Sequence, residues 1–150
     1  DTKREIDEAL KEGKVVVGNR YIASNMGHQG GKIKDPEERK KFWRWLYELE
    51  FGIFKIPKPD LTLILYVPAE LSFERADSRA RQETLLLKKI KDIHESEIEH
   101  LRDTAEAYQQ LARTYPEDFL LIECANSSEI LLPESVGEKV WAAIEPILKS

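Results

Sequence analysis

An arginine set where a short apolar run ends, followed by hydroxyl and amide side chains, suits a site for phosphate and a planar polar ligand. Residues 19–31 of this chain read Asn-Arg-Tyr-Ile-Ala-Ser-Asn-Met-Gly-His-Gln-Gly-Gly, and they begin where Lys14-Val15-Val16-Val17-Gly18 stops. The Arg20 guanidinium is a planar fork that can donate two parallel hydrogen bonds to a phosphate. Ser24, Asn25 and Gln29 add donors and acceptors of the kind a nucleobase edge requires. From the residues alone, a helix N-terminus with an exposed arginine reads equally well.

A second cluster lies farther along. Glu74-Arg75-Ala76-Asp77-Ser78-Arg79-Ala80-Arg81 precedes Lys88, Lys89 and Lys91, and Asp92-Ile93-His94-Glu95 follows. Arg75 and Arg79, four residues apart, share one helix face. Cations ahead of an acidic helix start suit a flap that closes on anionic phosphates. Phosphoryl transfer rests mostly on positioning and charge neutralisation, so such a clamp contributes to rate. A solvated charged face is the commoner meaning of such a run.

Two patterns are decoys. His94-Glu95 opens like a zinc-protease helix, H-E-x-x-H, but position 98 is Ile98. His100 lies about 120° around a helix from His94, so the two cannot grip one metal from one helix and no protein-bound metal is expected. Gly27 through Lys32 resembles a phosphate loop, yet G-x-x-x-x-G-K-[ST] would need Gly at 26 and Ser or Thr at 33, where Met26 and Ile33 stand.

The elements that must position these groups are legible in the apolar spacing. Three short apolar runs, 14–18, 61–67 (LTLILYV) and 119–123 (FLLIE), predict strands of the kind buried in parallel sheets. Residues 2–12 predict an amphipathic helix with Ile6, Ala9 and Leu10 on one face and Gly13 as its stop. Asp35-Pro36-Glu37-Glu38 predicts a capped helix start. That helix carries Phe42, Leu46, Leu49 and Ile53 on one stripe and Trp43, Tyr47, Phe51 and Phe54 on another, to be divided between core and a subunit interface. Pro57 and Pro59 end it. Further helices are expected from Pro68 to about Arg81 and from about Asp92 to Arg113, the latter with Ile98, Leu101, Ala105, Tyr108 and Leu111 inward. A last helix follows Pro133 with Val136, Val140, Ile144 and Leu148. Strands alternating with helices predict a doubly wound parallel α/β sheet with helices on both faces. Ligands bind such sheets at the C-terminal strand ends, which points to residues 18–31, 68–95 and 123–132.

Composition narrows the partners. The chain has 150 residues, enough for one domain, and 23 Lys+Arg against 28 Asp+Glu give a net charge of −5. An acidic chain lacks the broad basic face that a nucleic-acid backbone needs. One cysteine, Cys124, allows no internal disulfide and suits a reducing compartment. No apolar run approaches the ~20 residues of a membrane span, and Asp1-Thr2-Lys3-Arg4-Glu5 does not open a signal peptide. The class expected is soluble and cytoplasmic, with no membrane or nucleic-acid partner.

Asn19-Arg20-Tyr21 through Gly31, Leu49-Glu50-Phe51-Gly52, Pro59-Asp60-Leu61, Val67-Pro68, Lys91-Asp92-Ile93-His94-Glu95 and Tyr108-x-x-Leu111-Ala112 occur in the order found in one family. In these residues the chain resembles thymidylate kinases, along nearly its whole length. The resemblance implies a P-loop-kinase-like fold, a homodimer, and transfer of the ATP γ-phosphate to dTMP, giving dTDP, with Mg²⁺. By the same likeness Arg20, Arg75 and Arg79 are the catalytic cations. Arg20 would hold the acceptor phosphate, and Asn19, Ser24, Asn25, His28 and Gln29 would line the acceptor nucleotide. Asp92, His94 and Glu95 would close on that nucleotide. Arg75, Arg79, Lys88, Lys89 and Lys91 would cover the ATP phosphates, and the loop at Cys124-Ala125-Asn126 would lie by the adenine.

The chain departs from the family pattern in five places. Asn19 replaces an aspartate, and His28 and His94 stand where Tyr or Phe is common. Residues 82–90 (QETLLLKKI) are apolar for a lid. The family also begins with a strand and a G-x-x-x-x-G-K-[ST] loop that this chain does not contain. The expectation is therefore an N-terminally truncated single domain, residues 1–150, missing its first strands and inactive by itself. Residues 14–18 and 61–67 would then not be hydrogen-bonded neighbours. The alternatives are another nucleotide or deoxynucleoside kinase of the same fold, or a non-catalytic nucleotide-binding or dimerising remnant with Trp43, Trp45 and Phe51 as its surface.

Overall fold

Proline, aspartate and glycine placement decides where the first helices begin and end. The computed structural model describes residues 2–83, 91–126 and 128–149. Helix α1 (Thr2–Lys11) stops before Gly13, whose φ of +73° is left-handed and favours glycine. Helix α2 (Ile22–Gly31) comes next, and α3 (Pro36–Tyr47) opens on Asp35. The Asp35 carboxylate accepts hydrogen bonds from the backbone N–H groups of Glu37 and Glu38 at 2.9 and 2.8 Å, and Pro36 occupies the first turn, as the sequence predicts.

α3 runs directly into a π-helical turn, Glu48–Ile53. The wider turn rotates the end of this segment away from an α-helical stripe. Ile53 and Phe54, expected to continue the two apolar stripes, are consequently exposed.

Strand β1 (Thr62–Tyr66) and strand β2 (Phe119–Glu123) pair in parallel, with Thr62 opposite Phe119 and Tyr66 opposite Glu123. Helices α4 (Ala69–Glu83) and α5 (Lys91–Thr114) make the crossover between them, the long connection that a parallel pair requires. Helix α6 (Pro133–Leu148) packs against β2. The α/β architecture is as predicted, with fewer strands. Residues 14–18 are not a strand: Val15 and Val17 are 68% and 90% exposed, and β1 has β2 as its hydrogen-bonded neighbour among the described residues. An apolar run becomes a strand only where another strand lies beside it, and no described segment does so here.

The core gathers on one side of the sheet. Ile22, Ala23 and Met26 of α2, Trp43 and Leu46 of α3, Ala107 and Leu111 of α5, Ile64 and Phe119 form one buried cluster, with Tyr47, Phe51, Tyr108 and Tyr115 packed against it. Each large side chain so buried contributes about 1.5–3 kcal/mol. Trp43 is therefore no part of a surface: it is fully buried and donates its indole N–H to the Met26 carbonyl at 2.9 Å. Phe51 is half-buried on the core, and of those three aromatics only Trp45 is exposed. On the opposite side, Leu65 and Leu120 are exposed, and so are Trp141 and Leu148 of α6, the last expected inside. This side of the sheet has less cover than helices on both faces would give.

Along α5, Leu111 is buried as predicted, while Ile98, Leu101, Ala105 and Tyr108 are only half-buried. Thr104 and Ala107 are the further buried positions. At the far end of the core, the Tyr47 hydroxyl donates to Asp118 Oδ2 at 2.8 Å, and Lys58 pairs with Asp118 Oδ1 at 2.7 Å.

Candidate functional site

Residues 19–31 fold as a bend and then a helix. Ile22, Ala23, Met26, Gly27, Gly30 and Gly31 of α2 are buried. A 3.6-residue period then leaves Ser24, Asn25, His28 and Gln29 together on the other face. Two glycines set the distance to α5. A Cβ on Gly27 would lie 2.1 Å from the Tyr108 ring, and one on Gly31 would lie 3.0 Å from Thr104 Cα. The glycines that superficially resemble a phosphate loop thus serve helix packing.

Gly27→Ala is expected to push the Tyr108 ring away from α2. Overpacking costs about 1–3 kcal/mol, and the better helix propensity of alanine returns up to ~1 kcal/mol. Thermal unfolding should show a net loss, and the Tyr108 ring resonances should move. An unchanged midpoint with unchanged ring shifts would show that the helices do not need this close approach.

At the entrance to α2, Arg20 has a φ of +67°, a left-handed conformation that costs a side-chain-bearing residue roughly 1–2 kcal/mol. Its Nε–H donates to Ser24 Oγ at 3.3 Å. Burial pushes the Tyr108 phenol up, while nearby Ser24 and the Arg20 charge oppose that rise. His28 meets the Tyr108 ring edge-on at 6.1 Å between centroids and stacks on His100 at 6.5 Å with 22° between planes. Burial, then the charges of Arg20, His100 and Lys32, hold the His28 imidazole below its ordinary value. The result is a polar face with a cation at one end, two hydroxyls beside it and stacked imidazoles beyond.

Buried Arg39 holds this face in place. Its Nε–H is shared between the carbonyls of Gly30 at 2.9 Å and Ile33 at 3.0 Å, and Nη1 reaches Glu106 Oε1 at 3.0 Å and Gln110 Oε1 at 2.7 Å. One guanidinium therefore ties the C-terminal end of α2 and the residues after it to α5.

Arg20, Ser24 and His28 are brought into one cluster. Asn25 and Gln29 sit one step around the same helix, exposed, and Asn19 is exposed in the bend before it. Arg75 is exposed on α4 with Arg79 one turn later, where the Arg79 side chain lies outside the described residues. Lys88 and Lys89 lie outside the described residues altogether. Lys91, Asp92, His94 and Glu95 fall on the first turn and a half of α5, their side chains likewise outside the described residues. Ala125 bridges Ile130, and Asn126 Oδ1 accepts from the N–H groups of Ser128 and Glu129, which shapes the loop after β2.

Three residues of this arrangement are not singled out as site residues by spacing. Tyr108 reads as an inward aromatic and His100 as a failed metal partner. Arg39 reads as one charge in a charged run, although its place on the Trp43 and Leu46 stripe of α3 is a signal of burial. Among the described residues, no three or more carboxylate, imidazole or thiol groups converge to hold a metal ion. Asn19 offers a neutral amide, so these residues do not by themselves fit a Mg²⁺ site.

A sequence model of the thymidylate kinase family matches residues 1–134. The chain is 33% identical over 140 residues to the thymidylate kinase of Rhodopseudomonas palustris, covering 93% of this chain and 54% of that protein. It is 31% identical over 145 residues to that of Desulfovibrio desulfuricans, covering 96% and 61%. With the thymidylate kinase of Mycobacterium tuberculosis it shares 32% identity over 98 residues, covering 65% and 44%. The chain spans about half the length of the curated relatives it matches.

Proposed function

Because this chain belongs to the thymidylate kinase family, we propose that the complete protein transfers the γ-phosphate of ATP to dTMP, giving dTDP. An acceptor phosphate oxygen bonds to the γ-phosphorus as the bond from that phosphorus to the β,γ-bridging oxygen breaks, and ADP leaves. The observation that carries this reading is the Arg20–Ser24–His28 face. A guanidinium oriented by Ser24 stands at the end of a helix face lined with nucleotide-sized polar groups. Arg20 neutralises the acceptor phosphate and holds it for attack. Ser24, Asn25 and Gln29 take the base and His28 borders the sugar.

The donor side rests on the family likeness. Arg75, Arg79, Lys88, Lys89 and Lys91 cover the ATP phosphates, Ala125 lies by the adenine, and Asp92, His94 and Glu95 close on the acceptor. Mg²⁺ arrives with ATP, where it would neutralise phosphate charge. Residues 1–150 hold no counterpart of the family's phosphate loop, and Leu65 and Leu120 are exposed on the less covered side of the sheet. The 150-residue chain by itself is then inactive. The exposed Trp45, Ile53 and Phe54 support a homodimer, as side chains that a second copy would cover. Among the described residues no helix is long and apolar enough to cross a membrane.

A coupled assay of the complete protein over dTMP, dUMP, CMP and thymidine tests the assignment. The expected result is the highest kcat/KM for dTMP. A better rate with any other acceptor, thymidine included, overturns it in favour of another kinase of the same fold.

A further inference from the structure

His100 belongs to none of the family motifs in this chain, yet its ring stacks on a residue of the acceptor face. The cause is local packing. Gly27 and Gly31 let α5 approach α2 closely, with Tyr108 against Gly27 and Thr104 against Gly31. His100, Thr104 and Tyr108 are spaced four residues apart and share one face of α5. That face carries the His100 ring over His28, nearly parallel at 22° with centroids 6.5 Å apart. Tyr108 closes on the His28 edge at 82°. The two aromatic contacts restrict how the imidazole turns about its own side-chain bonds.

We propose that His100 is a positioning residue for the acceptor nucleotide, acting through its stack on His28 to fix how that imidazole faces the ligand. The inference rests on the acceptor reading of the α2 face. His28 borders the ligand, and His100 sits behind His28 and sets its orientation. Among the described residues, the charged and titratable groups facing His28 are Arg20 and Lys32 at the two ends of α2, and His100 and Tyr108 on α5.

This geometry has a consequence for pH. Burial, and then the charges of Arg20, His100 and Lys32, oppose a proton on His28. An anionic acceptor favours that proton, so binding tightens as the pH falls through the His28 titration. Removing the His100 charge moves that titration upward, and the pH at which dTMP binding tightens moves upward with it.

The test uses the complete protein with His100→Ala, His100→Phe and His100→Gln. His100 is exposed, so all three should unfold within a few degrees of wild type. His100→Ala is expected to raise KM for dTMP about three- to tenfold, with kcat within about twofold. His100→Phe, which keeps a flat ring, should return KM close to wild type. In His100→Gln, histidine NMR should show His28 titrating at higher pH, and the KM-against-pH curve should shift the same way. Taking the difference from wild type cancels the second ionisation of dTMP itself. Wild-type KM in His100→Ala, no rescue by Phe, or an unmoved His28 titration in Gln each overturns the inference and leaves the acceptor reading intact. If the wild-type protein does not bind dTMP, the acceptor reading fails and this inference fails with it.

Discussion

Arg20→Ala in the complete protein is expected to lower kcat for dTMP phosphorylation roughly 100- to 1000-fold, the usual loss when one preorganised transition-state donor is removed. Ser24 holds the Arg20 Nε–H, so the fork is oriented before substrate arrives. The backbone at Arg20 is left-handed, which adds a control that few sites permit. Arg20→Gly removes the same charge but relieves the steric cost at φ +67°, so it should be more stable than Arg20→Ala by about 1 kcal/mol. Equal loss of kcat in the two variants, with the glycine variant melting higher, would separate function from fold. A change confined to KM would show that Arg20 binds the ground state only. Lower stability in the glycine variant would show that the left-handed conformation carries no strain.

The local signals in the sequence are legible where one residue type has one physical use. Asp35-Pro36 caps a helix, Gly13 stops one, and LTLILYV and FLLIE become paired strands. Within residues 19–31, Arg20, Ser24 and His28 converge on one helix face, as a 3.6-residue period allows. The illegible parts depend on neighbours. Val15-Val16-Val17 has the composition of a strand, but a ladder needs a partner that composition cannot supply. The π-helical turn at Glu48–Ile53 is a local change of pitch, and a fixed 3.6-residue count carries Ile53 and Phe54 to the wrong faces. Trp43 lies on one of two apolar stripes whose spacing does not say which is core, and its burial and its indole N–H bond to Met26 settle that. His100 and Tyr108 lie some seventy to ninety residues beyond the motif they complete, and only the close approach of α2 and α5 brings them to it. The glycines that permit that approach are plain in the sequence, but their spacing suggests phosphate chemistry before it suggests helix packing.

Arg39 shows the same dependence at the largest energetic scale. It is 1% exposed, and its guanidinium serves two backbone carbonyls, a carboxylate and an amide on three sides. Burying a guanidinium is costly, so the arrangement is stable only because each partner is met. Arg39→Met keeps much of the volume but leaves the Gly30 and Ile33 carbonyls without their shared donor, each at about 1–3 kcal/mol if left unsatisfied. Glu106 is largely solvated and recovers its hydration, which limits that part of the loss. The expected destabilisation is about 3–5 kcal/mol, or roughly 10 °C in the unfolding midpoint for a chain of this size. Arg39→Lys should recover only part, because an ammonium cannot reproduce the planar fork. Residual activity measured well below the midpoint should fall mainly through a higher KM for dTMP, since Arg39 anchors the end of α2 and touches no reacting atom. A midpoint within 2–3 °C of wild type in Arg39→Met, less than about 1 kcal/mol, would mean that water replaces the guanidinium at these carbonyls and that the α2 face is held by its apolar contacts alone.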